Sequence, residues 1–222
     1  MRRGTLSDSR ILTTTLQPDP KTPVYSGGAP SNEPLSRQLR AATVEAHKDV
    51  ERRLRLPDSI TSLLEYERTL LRFYQLYLPL EIMLRDFPDW SMMGFEIPGV
   101  RFSSSLAADL GTLGVLAKDP PAITAASLPS LPNFACAVGA IYVLEGSALG
   151  SQYILPSLQR LLGQQIEGAD TFFKGRGEAT GSYWKALCRR LDEYGAIHPD
   201  DMTSVVAGAN STFTSIGTWM RQ

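Results

Sequence analysis

The sequence predicts a single all-α domain, a helical bundle with short connections, over residues 34–222. Three observations lead there. Apolar residues recur at helical spacing in segment after segment. The segments are parted by short stretches rich in Pro, Gly, Ser and Asp. Neither a run of alternating strands nor an internal repeat is present.

Taken in order, residues 1–33 are polar, rich in Ser, Thr, Pro and Gly, and lack periodicity; they read as a flexible N-terminal arm. Asn32-Glu33-Pro34 opens the first helix, with Pro tolerated in the first turn, and Pro57-Asp58-Ser59 closes the segment after Leu54. A long apolar-rich helix spans Ile60 to Phe87, with a kink expected at Pro79. Residues 88–102 form a loop, Ser104 to Lys118 a short helix, and the Pro-rich stretch 120–132 a second loop. A long helix runs from Asn133 to Leu155 and is expected to stop at Pro156. Another runs from Thr180 to Tyr194 and is expected to stop at Gly195. Pro199-Asp200-Asp201 opens a last helix that ends near Met220.

With 222 residues and 43% hydrophobic composition, the chain can bury a sizeable core. A formal net charge of −1 argues against a general nucleic-acid binder, which needs a basic face for phosphates. The apolar run Phe134–Leu144 ends at Glu145, short of the roughly 20 residues a bilayer span takes, so no membrane is expected. No apolar run follows the opening Met-Arg-Arg, so no secretory leader is read. Cys136 and Cys188 form no CxxC pair and read as reduced thiols of a cytoplasmic protein, with one long-range disulfide as the alternative.

His47 is the most informative residue. Leu35, Leu39, Ala42, Ala46 and Val50 make one apolar stripe of its helix, and Arg40, Thr43 and His47 make a neighbouring one. Glu51 lies one turn beyond His47. A histidine beside a core-facing edge can ligate a metal, and a carboxylate one turn on can hold its second N–H. Arg40 would sit about 10 Å back along the axis, an offset that suits a large anionic cofactor better than a bare ion. A second segment, Gly139 to Gln152, carries Gly139, Gly146 and Gly150 at i, i+7 and i+11, on one face of a helix. Each glycine costs roughly 1 kcal/mol against alanine. Close approach of something flat, helix bending and tight packing on another helix would each explain them.

The chain resembles the heme oxygenase family in its bacterial, bacteriophytochrome-associated form. Three blocks carry the resemblance across roughly residues 34–220. Ala42-Thr43-x-x-x-His47-x-x-x-Glu51 looks like the proximal helix. Tyr142-Val-Leu-Glu-Gly146-Ser-Ala-Leu-Gly150-Ser-Gln152 looks like the distal helix. Phe172-Phe173, followed by Thr180-Gly181-x-x-Trp184-Lys185-x-x-x-Arg189, looks like the segment that reaches the heme propionates.

The resemblance implies that His47 is the axial iron ligand and that Glu51 orients it. It places Arg40, Lys185 and Arg189 near the propionates, Gly146 and Gly150 against the distal heme face, and Phe213 as an aromatic lining the pocket. Ser147 stands where mammalian-type members carry an aspartate that organises water near bound oxygen. The implied activity is cleavage of heme, at once substrate and cofactor, to biliverdin with release of iron and carbon monoxide. It would use O2 and electrons from an external ferredoxin- or flavoprotein-type reductase, since no flavin or nicotinamide fingerprint is present. The resemblance implies that the biliverdin serves a bacteriophytochrome as chromophore, with iron recovery as the alternative purpose.

Two rival classes fit less well. A di-iron carboxylate enzyme usually needs Glu-x-x-His on two helices, and that motif is absent from the sequence. A non-catalytic heme carrier on the same fold would favour two strong axial ligands, whereas the distal block offers glycine and serine.

Overall fold

The computed structural model describes residues 33–94, 101–115 and 124–221. The expected N-terminal arm up to residue 32, residues 95–100 of the first expected loop and residues 120–123 of the Pro-rich loop lie outside the described residues. The helix expected over Ser104 to Lys118 instead covers Arg101–Thr112, stopping short of Gly114, which takes a φ of 72°. The described residues belong to the unit Asn32–Gln222. Among them there are helices and no strand.

Helix α1 spans Leu35–Leu54, α2 Leu63–Arg85, α3 Arg101–Thr112, α4 Phe134–Leu162, the one-turn α5 Thr171–Lys174, α6 Thr180–Ile197 and α7 Met202–Trp219. Short 3-10 segments fill several connections, including Pro88–Met93 within the first expected loop. Some helices start on local signals. Ser62 accepts the Glu65 N–H at 3.3 Å while the Glu65 carboxylate accepts the Thr61 N–H at 2.6 Å. Asn133 accepts the Cys136 N–H at 2.9 Å. Others start on a carboxylate from elsewhere. Asp192 of α6 accepts from Ser36 at 2.8 Å, Glu81 of α2 from Phe102 and Ser103 at 2.8 and 2.9 Å, and Asp109 of α3 from Thr171 and Phe172 at 2.9 and 2.8 Å.

Helix α4 is the centre of the fold. Every residue from Ala135 to Glu145 is buried, and α7, α5 and α6 pack on it. Helix α1 packs on α7 and α6, and α2 on α3. The α4–α7 crossing is made by glycines. A Cβ on Gly139 would collide with the Val205 carbonyl oxygen, and one on Gly208 with the Cys136 carbonyl oxygen. Gly139 therefore serves helix packing and does not share the surroundings of Gly146 and Gly150.

Two expected stops are not stops. α4 runs through Pro156 to Leu162. Proline removes the bond to the carbonyl four residues back, here Gln152, which is exposed and open to water, while Leu158 and Leu162 anchor the last turns in the core. The apolar helical stretch Phe134–Ile166 is consequently long and apolar enough to cross a membrane, yet 61% of its most apolar window is buried within the domain. α6 likewise runs through Gly195 to Ile197. A Cβ on Gly195 would stand 2.7 Å from the Leu35 Cβ, so this glycine brings α6 against α1. The stripe on α1 is also turned by one position. Ala42 is exposed and Thr43 buried, its hydroxyl satisfied by the Leu39 carbonyl at 2.8 Å.

Candidate functional site

His47 continues the stripe Leu35, Leu39, Thr43 at i+4 spacing and sits where that stripe reaches the surface, its side chain 57% exposed. Its Nδ1 is 3.6 Å from the Glu51 carboxylate, and both side chains are more than half exposed. The Phe213 ring of α7 meets the imidazole edge to face, centroids 5.6 Å apart. Phe213 itself is buried, so it forms a firm wall on one side of the histidine. Nδ1 facing Glu51 favours the tautomer that leaves the Nε2 lone pair for a ligand.

One turn before His47, the three helices of the site are tied together. Thr43 of α1 lies within hydrogen-bonding reach of the Tyr142 phenol of α4. Burial pushes that phenol upward, with the Thr43 hydroxyl and the Arg40 charge pulling the other way. Tyr142 in turn packs on Trp184 of α6, centroids 5.3 Å apart. One turn further along α4, the Trp184 ring reaches Gly146: a Cβ there would meet Cη2 and Cζ3 at 3.3 and 3.4 Å. At Gly150, one more turn on, a Cβ would meet nothing within 4 Å.

Ser147 is exposed, and its hydroxyl donates to the Leu144 carbonyl at 2.7 Å. Beside it lies the phenol of Tyr77, wholly within the core and pushed up to about 12 by burial, with the Ser147 hydroxyl opposing. Behind the same stretch, the buried Glu145 carboxylate accepts from Arg101 at 2.9 Å and from Arg176 at 3.2 Å. Those guanidiniums rest on the Phe102 and Tyr183 rings at 3.9 and 3.5 Å. Their Nε atoms are buried without a hydrogen-bond partner.

The remaining expected cations are exposed. Arg40 stands two turns before His47, and its charge reaches Tyr142. Lys185 and Arg189 lie one turn apart on α6, which packs on α1, and the Arg189 Nε is 3.9 Å from Glu193 on its own helix. Sequence reasoning found the His47–Glu51 pair through its i+4 spacing. It assigned nothing to Tyr77, Arg101 or Arg176, whose contacts join distant parts of the chain, and it placed Trp184 in the propionate block without its contact on Gly146. Glu145 carried the one visible signal, a charge closing an eleven-residue apolar run.

Among the described residues, no three His, Cys, Asp or Glu side chains cluster as a metal site. A metal held by His47 would thus take its other ligands from a bound molecule. The donor set fits heme: one histidine with a free ring nitrogen, glycines rather than bulk at 146 and 150 of α4, and exposed cations for carboxylates.

The heme oxygenase profile matches residues 33–222. No curated protein sequence matches the chain. Among solved structures, the chain is similar to the heme oxygenase of Neisseria meningitidis, crystallised with NO and CO bound. The identity is 20%, the TM-score 0.70, and the match covers 85% of this chain and 90% of that one. That likeness establishes a common all-α fold, and the profile match establishes the lineage: the chain belongs to the heme oxygenase family.

Proposed function

We propose that the protein opens heme to biliverdin, releasing iron and carbon monoxide, with O2 and electrons from an external ferredoxin- or flavoprotein-type reductase. The observation that carries this reading is the His47 imidazole, turned by Glu51 at 3.6 Å and walled by Phe213 at 5.6 Å. Bound heme supplies an iron centre that activates oxygen against its own ring. The rest of the work falls to side chains of this protein.

His47 would hold the heme iron through Nε2, with Glu51 fixing the ring's rotation. Gly150, with nothing within 4 Å of a Cβ, keeps the distal wall low. The Ser147 hydroxyl already spends its proton on Leu144, so its lone pairs accept from water. The Tyr77 phenol beside it, pushed up to about 12, stays protonated at neutral pH and can donate. Together they can hold an ordered water and hand on a proton, the task an aspartate has in mammalian-type members. Arg40, Lys185 and Arg189 offer exposed charge to the propionates.

The Gly146-Ser-Ala-Leu-Gly150 block supports a bacteriophytochrome as recipient of the pigment. Two free cysteines, Cys136 buried and Cys188 half-buried, support a reducing, cytoplasmic setting. The test is to add heme to the purified protein and supply a reductant in air. The expected result is a histidine-ligated Soret band that decays as biliverdin appears. A stable heme complex that yields no pigment would mark a carrier instead.

A further inference from the structure

We propose that Trp184 is a gate of the porphyrin site, moving between a position on Gly146 and one on Gly181; this rests on the heme reading above. In this structure the indole edge stands 3.3 Å from where a Gly146 Cβ would be. That is the layer a flat macrocycle occupies when it rests on the same backbone. Ring and macrocycle cannot both fill it, so one must yield.

The indole can yield and its helix cannot. α6 is fixed by fully buried Leu187, by Thr180 donating to the Gly177 carbonyl at 2.8 Å, and by the Arg176–Glu145 pair just ahead of it. Trp184 is half-buried, with one side toward solvent. Helical side chains lean back over the residues three and four positions earlier. Three positions before Trp184 is Gly181, where a Cβ would meet nothing within 4 Å. That bare patch is a landing place for the indole, one rotamer step from Gly146. When the indole turns aside, Tyr142 stays as the fixed end wall through its reach to Thr43.

The experiment measures stopped-flow association of zinc protoporphyrin IX, which cannot turn over, with the full-length protein. If the open rotamer is a minor state of about ten percent, Trp184→Ala should associate about tenfold faster. Gly181→Leu, which fills the landing place, should associate more slowly. The double variant should match Trp184→Ala, because a blocked landing place is irrelevant without the indole. Should Trp184→Ala fail to fold, Trp184→Phe and the fluorine spectrum of 5-fluorotryptophan protein serve in its place. The Trp184 resonance should move on porphyrin binding while that of buried Trp90 stays. Unchanged rates in both single variants, additive effects in the double, or a Trp184 resonance unmoved by bound porphyrin overturn the gate and leave the heme reading standing. Failure of the unaltered protein to bind any porphyrin overturns both.

Discussion

Gly139 of α4 and Gly208 of α7 are packed into each other's helices, each with its Cα against a carbonyl of the opposite backbone. Backbone does not give way as a side-chain tip does. Gly139→Ala or Gly208→Ala should therefore cost about 1–3 kcal/mol or more, the range for overpacking. Gly150→Ala faces open space and should gain up to about 1 kcal/mol of helix propensity. Gly150→Leu should fold as well and lose turnover. Thermal melts beside pigment assays on the four variants separate the two kinds of glycine; equal losses of stability at Gly139 and Gly150 would erase the distinction.

His47→Ala should keep the fold and lose the histidine-type heme spectrum and turnover. The side chain is more than half exposed, so little packing goes with it. Added imidazole should restore part of the spectrum. An unchanged iron–histidine band in resonance Raman would assign the ligand elsewhere.

Glu145→Ala should be among the most destabilising exposed-charge-free changes in the chain. It leaves the half-buried Arg101 and Arg176 without the carboxylate they share, each with an orphaned Nε. Losing one partner of a buried pair costs about 3–5 kcal/mol. Urea denaturation measures it, and a loss below about 1 kcal/mol would place the cluster with surface ion pairs.

The capping carboxylates give a pH signature. Burial pushes Asp109 above its ordinary 3.8, against the pull of the Phe172 and Thr171 N–H groups, and Glu81 is raised above 4.5 in the same way. Each binds its proton more tightly folded than unfolded. Their contribution to stability is thus fully present below the ordinary value and is lost as pH rises through the folded value. Asp109→Asn should be less stable, since one N–H then faces an amide NH2, but its stability should fall less as pH rises from about 4. Denaturant midpoints from pH 4 to 8 give the difference. Parallel curves would mean that Asp109 titrates normally.

Of the exposed cations, Arg40 and Arg189 should influence heme seating more than Lys185, because a guanidinium can bind a propionate bidentately. Each alanine variant should lose under about 1 kcal/mol of binding. The larger change should be in which biliverdin isomer is released, read by chromatography. Wild-type isomer mixtures in all three would make them a solvated face.

Which parts of this were legible in the sequence follows from the range of the forces involved. The existence of the long helices was legible, because a stripe such as Leu35, Leu39, Val50 is a local pattern. Their ends were less so. Pro156 and Gly195 look like stops until Leu162 and Leu35 are seen holding the helix on either side of them. Glu51 beside His47 follows from helical spacing alone. The Glu145 partners lie 44 and 31 residues away, and the Trp184 indole on Gly146 joins two helices, so neither contact leaves a periodic trace.

The carboxylates of Asp192, Glu81 and Asp109 close the first turns of α1, α3 and α5 from outside those helices. The instructions for where these helices begin are therefore written elsewhere in the chain. A peptide cut out as α1 or α3 lacks its own start and should be a poor helix in water. In the intact domain, the amides of Ser36, Ser103 and Phe172 give up their partners only when two helices separate. Amide hydrogen exchange should find them among the slow sites, although helix starts usually fray first.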